Sequence, residues 1–434
     1  MRLRPLVGSL APATLVLIAT TAAGSALASG FQLKEDSAVG LGSAFAGAGS
    51  AAGTPSTVFD NPAGMMQLPG LQIQLGGTLI APSASFSGGA RNTFGLPIAG
   101  TSSANAANLG LVPHLFATYR INPQWAVGLA ITSPFGLATS YPSGFVGRYQ
   151  ADKTDLRTIN INPSIAYQPL PWLSLGAGFS AMYARAVFST FINSSTAAAS
   201  VLGRPIALRD GYFRLRGDDW AFGYDFGVLI KPTPITNIGL TYRSRVQQNF
   251  SGSADYIVPT PLNLSSRFAS SGGTAKLVLP DTAGISVTHR LSPQLEVAID
   301  LDWTNWSQFK QLNAFRSNGT LISSTPERYK NTFFLSAGGA YQIDDRLTLR
   351  AGTAFDKTPV SDAYRTARVP DEDRFWLAGG LSYKVLPNAT VDFGYAHIFV
   401  RDSKINELSA TGDRLTGTYS NSIDIVSLGS RMQF

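Results

Sequence analysis

The strongest constraint in this sequence is a period-two alternation of apolar with small or polar residues. From about residue 70 to the C-terminus, such segments follow one another and are separated by turn residues. In 295–303 (LEVAIDLDW) the odd positions are apolar and the even positions are small or acidic, and 220–230 alternates in the same way. Because successive side chains of a strand point to opposite faces, each segment is predicted to be a β-strand with one apolar and one polar face.

Strand length and the connections between strands favour a membrane barrel over a soluble β-sandwich. Several predicted strands have about 12 to 18 residues, whereas strands of soluble proteins usually have about 3 to 10. Short turns alternate with long loops along the chain. The short turns lie at 121–123, 169–171, 231–234, 291–293, 344–345 and 387–388, and the long loops lie near 87–107, 135–155, 191–212, 253–273, 312–325, 358–371 and 403–417. This asymmetry and a count of about fourteen strands predict an all-β, antiparallel transmembrane barrel of the bacterial outer membrane.

The composition excludes several other classes of protein. Charged residues are 14% of the 434, whereas about 25% is typical of soluble domains. Beyond the N-terminal region no apolar run reaches the roughly 18 residues that a membrane-spanning helix needs, so a helical membrane protein is excluded. There is no cysteine, which excludes disulfides and thiolate sites. The net charge of +7 is scattered and does not form a stripe that would bind nucleic acid.

Both ends of the chain carry sorting features. Arg2 and Arg4 precede a short apolar stretch and a small-residue cleavage site, so residues 1–28 are predicted to be a signal peptide. An uncleaved anchor helix is the alternative, and the shortness of the stretch disfavours it. At the other end, Phe434 closes an alternating segment in the manner of the signal read by the barrel assembly machinery, which is therefore an expected partner.

The predicted lumen needs something to fill it, because wall side chains cannot fill a barrel of fourteen strands. Parity places charges of both signs on the inner face. These are Asp225, Arg243, Arg245, Glu296, Asp300, Asp302, Arg346, Arg350, Asp356 and Asp392. Residues 29–69 lack the alternation and contain Asn61-Pro62-Ala63, which is predicted to fix a turn. The segment is predicted to be a plug, or hatch, inside the barrel; the alternative is a disordered leader in front of an open, water-filled porin.

Short motifs along nearly the whole mature chain resemble the FadL family of outer-membrane transporters for long-chain fatty acids and aromatic hydrocarbons. The motifs are GFQL at 30–33, GLGxA at 40–44, NPAGM at 61–65, GRY at 147–149, YARA at 183–186, LTYRS at 240–244, WTNWS at 303–307, FDxxPV at 355–360 and PDxDRFW at 370–376. The resemblance implies a hatch at 29–69 inside a fourteen-stranded barrel at 70–434. It also implies ligand capture among the extracellular loops, hatch movement, and lateral exit at a kinked strand. The expected cargo is a long-chain fatty acid or a similar hydrophobic compound. The alternatives are an aromatic hydrocarbon and, less favoured, the general hydrophilic porin.

The resemblance also implies candidate ligand contacts at the N-terminus and in the loops. Phe31 and Leu33 would form a mobile hatch tip at the ligand, or would only pack against the wall. The apolar loop candidates would form part of the outer groove, with ordinary loop packing as the alternative; they are Phe135, Leu137, Tyr141, Phe145 and Val146.

Two cations are candidates for binding the carboxylate of a fatty acid. They are Lys330, on the lumen parity, and Arg185, in the YARA motif. Simple alternation places Arg185 on the lipid side of its strand. Either a bulge turns it towards the lumen, or it contacts lipid headgroups at the membrane edge.

No catalytic or metal-binding constellation is recognisable in the sequence. His114, His289 and His397 are far apart, and two of them have the lipid-facing parity. We therefore expect a protein that is not an enzyme and that uses no cofactor and no metal. Its expected partners are hydrophobic small molecules, outer-membrane lipid and lipopolysaccharide, with no nucleic acid, and a monomer is expected.

Overall fold

The computed structural model describes residues 29–203 and 206–434; the predicted signal peptide lies outside the described residues. One antiparallel sheet dominates the fold and closes on itself, because the first strand pairs with both the last strand and the third. The strands are β1 (Leu71–Arg91), β2 (Ser103–Asn105), β3 (Gly110–Arg120), β4 (Trp125–Thr132), β5 (Gly136–Ser140), β6 (Lys153–Leu170), β7 (Leu173–Ile192), β8 (Gly211–Thr233), β9 (Thr236–Arg243), β10 (Val246–Ile257), β11 (Ser271–Leu279), β12 (Thr282–Arg290), β13 (Leu295–Thr304), β14 (Gln311–Arg316), β15 (Leu321–Pro326), β16 (Thr332–Gln342), β17 (Leu347–Asp356), β18 (Arg374–Leu386), β19 (Ala389–Val400), β20 (Ser403–Leu408) and β21 (Arg414–Gln433).

The 21 segments form the wall of a fourteen-stranded barrel. Seven wall strands consist of two successive segments separated by a bend or a short loop. These are β2/β3, β4/β5, β9/β10, β11/β12, β13/β14, β15/β16 and β19/β20. Merging these seven pairs leaves 14 wall strands, each antiparallel to its neighbours. The predicted closed, fourteen-stranded antiparallel barrel is confirmed.

Six short turns join wall strands at one end of the barrel, and they coincide with the six predicted turns. They follow β3, β6, β8, β12, β16 and β18. Because outer-membrane barrels have short periplasmic turns and long extracellular loops, this end is periplasmic and the other is extracellular. One extracellular loop carries α3 (Ser194–Leu202). The predicted limits of five loops were too wide, since strand pairing continues into these regions; the loops are those near 87–107, 135–155, 253–273, 312–325 and 403–417.

The two faces of the wall strands differ as the alternation predicts. In β8, Trp220 and Phe222 are 51% and 63% exposed on the outer face, whereas Asp225 lies buried on the inner face. Two charges predicted to face the lumen do not. Arg245 is exposed on the outer side because an irregularity at Ser244 interrupts the alternation between β9 and β10, and Arg346 is exposed in a periplasmic turn. Within 29–203 and 206–434, no helix combines the length and apolarity needed to cross a membrane.

Residues 29–69 fold inside the barrel as the hatch. α1 (Ala38–Gly42) contacts the inner faces of β17, β18, β19 and β21, whereas the 3₁₀ helix Pro62–Gln67 contacts β4, β6, β7 and β8 across the lumen. Between them lies α2 (Thr57–Asp60). The hatch therefore touches opposite walls. The other 3₁₀ helices, all outside the hatch, are Leu262–Leu264, Ser266–Phe268, Trp306–Gln308 and Asp362–Tyr364.

Wall glycines allow the hatch backbone to lie directly against the barrel. A Cβ added at Gly352 would lie 2.1 Å from the carbonyl oxygen of Ser43, and one at Gly239 would lie 1.9 Å from that of Gly49. Any larger side chain at these positions would displace the hatch, since backbone atoms cannot give way as flexible side chains do. The wall is therefore shaped to fit this plug.

Candidate functional site

The barrel wall contains a window between β3 and the strand made of β4 and β5. The β3–β4 ladder extends only from Arg120–Ala126 to Leu115–Ile131, and residues 110–114 pair with β1 on their other side. Pairing across the window resumes further out, where the backbone N–H of Ser140 donates to the carbonyl of Ala106. The wall is thus continuous above and below an unpaired stretch.

Prolines explain why the ladder stops there. Pro113 lies on the β3 edge of the window, and Pro134 lies in the break between β4 and β5. Proline has no backbone N–H to donate to a neighbouring strand. Thr158 of β6 stabilises the break from the other side, because its hydroxyl donates to the carbonyl of Phe135 at 2.6 Å.

The hatch tip, residues 31–33, closes the window from inside. The backbone N–H of Leu33 donates to the carbonyl of Pro134 at 2.8 Å, and that of Gly136 donates to the carbonyl of Phe31 at 3.0 Å. Gln32 and Phe135 face each other between these two bonds as an antiparallel bridge. The tip therefore binds the broken strand as a short added strand.

The side chain of Phe31 fills an aromatic cluster at the same place. Its ring centroid lies 4.7 Å from that of Trp306, 5.6 Å from Phe309 and 6.3 Å from Phe135, and Tyr329 completes the cluster. Edge-to-face contacts of this kind stabilise by about 0.5–1.5 kcal/mol each beyond the burial of area. We call these five residues the tip cluster.

Apolar contacts continue from the tip cluster to the extracellular loops. Leu33, Leu137 and Phe145 are buried in the same hydrophobic core as Phe31. The ring of Phe145 stacks on that of Tyr141 with 4.4 Å between centroids. A continuous series of buried apolar side chains, which we call the apolar path, therefore connects the extracellular loops with the hatch tip.

Below the tip lies a chamber of different character. This cavity of about 130 Å³ reaches Pro134 and Phe135 at the window. Its charged lining residues are Lys34, Asp36, Asp60, Asp225, Arg243, Asp300 and Asp302. Lys34 forms a 2.5 Å ion pair with Asp302, and Arg243 donates to the carbonyl of Phe59 at 2.6 Å. The chamber is therefore lined by charged as well as apolar side chains, whereas the path above it is apolar.

Three acidic residues of the hatch have raised pKa values. Burial raises the pKa of Glu35 to about 7 and that of Asp36 to about 6. Burial raises the pKa of Asp60 well above its ordinary value, and the neighbouring carboxyl of Asp36 raises it further. Removing a carboxylate from water penalises its charged form, so these groups retain protons into the near-neutral range.

The turn at 61–63 anchors the hatch on the far wall. The side-chain amide of Asn61 donates to the carbonyls of Gly49 at 2.7 Å and Val228 at 3.1 Å, and its oxygen accepts from the N–H of Ala63. Pro62 starts the following 3₁₀ helix, where its missing N–H costs nothing. The turn packs on β7 and β8 rather than at the hatch tip, so it holds the hatch against this wall.

Comparison with known proteins places this architecture in a family. A family model described as "Outer membrane protein transport protein (OMPP1/FadL/TodX)" matches residues 19–434. The chain belongs to this family. The FadL-family chain is 34% identical over 409 residues to the long-chain fatty acid transport protein of Salmonella typhi, covering 91% of this chain and 92% of that protein. It is an outer-membrane protein, and its family is one of transport proteins.

Solved structures agree with this assignment. A FadL homologue of Pseudomonas aeruginosa has a TM-score of 0.87 at 26% identity, covering 93% of this chain and 100% of that one. The toluene transporter TodX of Pseudomonas putida has a TM-score of 0.68 at 17% identity, with coverage of 93% and 100%, and shows the shared fold alone.

The two candidate cations of this FadL-family protein lie in different places. Lys330 is exposed at the extracellular end, next to Tyr329 of the tip cluster. Arg185 is exposed on the outer face of β7, as simple alternation predicts, and no bulge turns it inward. Because its side chain points away from the lumen, Arg185 is not brought together with the ligand path.

Sequence reasoning missed some residues of the candidate site. Trp306 lies in the WTNWS motif, so a signal was present, but nothing in the motif shows that it surrounds Phe31. Lys34 follows the GFQL motif directly, yet its pairing with Asp302 depends on how the hatch docks.

Proposed function

We propose that this FadL-family protein takes up long-chain fatty acids or similar hydrophobic compounds across the outer membrane. Ligand enters along the apolar path from the extracellular loops and displaces the hatch tip from the tip cluster. It then leaves sideways through the window into the membrane. Phe31, Leu33, Phe135, Leu137 and Phe145 are the proposed apolar contacts along this route.

The observation that carries the proposal is the double role of the hatch tip. The same three residues fill the aromatic cluster with Phe31 and hydrogen-bond to the strand that borders the window. A ligand that replaces Phe31 therefore competes with the contacts that keep the window closed. Binding and opening are coupled because they involve one segment.

The physical chemistry of the cargo supports lateral exit. Exposing apolar surface to water costs about 0.8 kcal/mol for each CH₂, so an acyl chain of about fifteen CH₂ groups would lose roughly 12 kcal/mol in a watery route. The straight path below the tip leads into the charged chamber, where Lys34, Asp302 and Arg243 would be left without their partners. The window leads instead to the lipid.

Lys330 is the proposed contact for the carboxylate of a fatty acid. It is exposed and directly follows Tyr329 of the tip cluster in the chain, and its ammonium has no ion-pair partner among the residues that the structure describes. The aromatic side chains of the tip cluster favour a second candidate cargo, an aromatic hydrocarbon, because rings pack well edge to face.

A disulfide between the hatch tip and the wall tests the route. The flanking hydrogen bonds make Gln32 and Phe135 a non-hydrogen-bonded antiparallel pair, whose Cα atoms lie about 4.5 Å apart and within disulfide range. The chain has no cysteine of its own. We expect the Gln32→Cys/Phe135→Cys variant to lose oleate uptake into cells when oxidised and to regain it under reducing conditions.

The single variants Gln32→Cys and Phe135→Cys, treated with the same oxidant, are the matched controls. They separate the effect of the cross-link from that of losing either side chain. If the oxidised double variant takes up oleate as fast as Phe135→Cys, the hatch tip does not gate the route. A large, steady ion current through the unmodified protein in planar bilayers would instead support the hydrophilic porin.

The Lys330→Ala variant distinguishes the two cargos. For a fatty acid, losing the proposed contact should weaken saturable oleate binding by the detergent-solubilised protein about 10-fold to 150-fold, as expected for a charge-assisted hydrogen bond. Toluene has no carboxylate, so its binding should not change. Binding of toluene that is tighter than that of oleate and indifferent to the substitution would favour the hydrocarbon.

A further inference from the structure

The outer wall changes from apolar to basic at one height on β6, β7 and β8. Ile159, Tyr183 and Trp220 are aligned across these strands in one outward-facing row. The next outward row towards the extracellular loops consists of Arg157, Arg185 and Asp218. Aromatic residues at such a boundary lie at the level of the lipid headgroups. The arginines therefore lie at or just above the headgroup level of the outer leaflet.

Outward-facing cations extend from this row over the neighbouring strands, and we call them the basic belt. They are Lys153, Arg157, Arg185, Arg214, Arg216 and Lys276. The carboxylates on the same surface are Asp155, Asp218 and Asp255. Cations thus exceed carboxylates by three. On the far side of the barrel the outer face is different, because Asp424 accepts hydrogen bonds there from Tyr395 and His397.

Carboxylates of the protein form ion pairs with some cations of the basic belt, whereas two of its arginines form no ion pair within the described residues. Asp155 pairs with Arg157 at 2.7 Å, and Asp255 lies 3.5 Å from Arg214. Arg216 donates to the hydroxyl of Ser253 at 2.9 Å and has no carboxylate partner within the described chain. Arg185 forms neither a hydrogen bond nor an ion pair with any residue that the structure describes, although Asp218 lies directly opposite it on β8.

An arginine without a partner is costly at the edge of the hydrocarbon region unless an anion accompanies it. Arg185 and Arg216 are diagonal neighbours on adjacent strands, because Arg216 pairs with the residue two positions beyond Arg185. Diagonal neighbours are about 7–8 Å apart, within reach of long side chains. Guanidinium groups bind phosphate oxygens through paired hydrogen bonds, so two of them at this spacing match one phosphate.

We propose that Arg185 and Arg216 bind a phosphate group of an anionic glycolipid of the outer leaflet. The apolar row formed by Ile159, Tyr183 and Trp220 lies directly below and packs against the acyl chains. This continuity between a phosphate site and a lipid-facing surface distinguishes a glycolipid from free phosphate. The assignment depends on the barrel and its orientation and is independent of the proposed transport function.

The test is binding of diphosphoryl lipid A to the purified full-length protein in detergent, measured by native mass spectrometry. A cation near an anionic lipid surface contributes about 1 kcal/mol, so Arg185→Gln or Arg216→Gln should each weaken binding about fivefold, and the double variant about thirtyfold. Arg414→Gln is the matched control, because Arg414 is an exposed arginine in the extracellular hairpin of β20 and β21. It should bind lipid A as the unmodified protein does.

Two further ligands identify the source of the phosphate. Lipid A without its phosphates should bind weakly and equally to the unmodified protein and the double variant. Inorganic phosphate should displace lipid A only poorly. The proposal is overturned if the unmodified protein and the double variant bind lipid A equally well while both show the heat-modifiable migration of folded barrels. Displacement by inorganic phosphate as effective as by lipid A itself would overturn the glycolipid assignment.

Discussion

Replacing Glu35 with Gln is predicted to make docking of the hatch less sensitive to pH. The side chain of Glu35 is only 3% exposed, and its Oε2 atom has no hydrogen-bond partner among the described residues. Burial raises its pKa from 4.5 to about 7, although local backbone groups and Arg374 favour the charged form. Gln has the shape of the protonated acid but cannot ionise.

The direction of the pH effect on hatch docking follows from which state, docked or released, binds the proton of Glu35 more tightly. The docked hatch has the raised pKa and the released hatch the ordinary one, so the docked state is favoured at low pH and loses this advantage as the pH rises through about 7. The full pKa shift of Glu35 corresponds to roughly 3 kcal/mol of docking free energy. About 2–3 kcal/mol of this is lost between pH 5 and pH 8. Asp36 and Asp60 act in the same direction.

Amide hydrogen exchange measures this free energy at the hatch tip. The N–H groups of Leu33 and Gly136 are protected only while the tip is bound to the broken strand. After correction for intrinsic exchange, the opening free energy of the unmodified protein should fall from pH 5 to pH 8. In Glu35→Gln the fall should be smaller by about 2–3 kcal/mol.

The outcome that would refute this reasoning is an unchanged slope. Asp345→Asn is the control, because Asp345 is an exposed acid in a periplasmic turn and should leave the pH dependence intact. If Glu35→Gln retains the pH dependence of the unmodified protein, burial of Glu35 does not control hatch docking. If both variants lose it, the effect is one of general charge.

Two other substitutions test the fit of the hatch. Asn61→Ala removes two donated hydrogen bonds and a helix cap, so hatch docking should weaken by roughly 2–4 kcal/mol. Ion current in planar bilayers should therefore rise. The control Asn388→Ala changes an exposed turn and should have no effect. Gly352→Ala places a methyl group against the carbonyl of Ser43, so protection of hatch amides from hydrogen exchange should fall while the barrel still migrates as folded. The control Gly89→Ala has open space around its Cβ and should behave like the unmodified protein. Normal current in Asn61→Ala or full protection in Gly352→Ala would contradict the docking described.

The barrel was predictable from sequence because lipid on one side of the wall imposes alternation on every strand. That constraint correctly placed Trp220 outside and Asp225 inside. It failed at Arg245, where one irregular residue, Ser244, reverses the parity, and such an irregularity leaves no period-two signal. It also failed at the ends of the loops, because strand pairing continues beyond the lipid.

The interior was less predictable because nothing periodic governs it. The hatch segment could be located by its lack of alternation, but its docking depends on close approaches such as that of Ser43 to Gly352. Pro134 could have indicated a broken strand. That the hatch tip pairs with this strand could not be read from either segment alone.

The window also has a consequence for the size of what can pass. Its two edges rejoin through backbone hydrogen bonds at both ends, near Leu115–Ile131 and near Ala106–Ser140. The barrel can therefore release the hatch tip without losing a wall strand or exposing a long sheet edge, which would invite aggregation. A fixed frame of this kind sets an upper limit on cross-section. We expect slender chains and flat rings to pass such a frame more readily than bulky branched molecules of equal hydrophobicity.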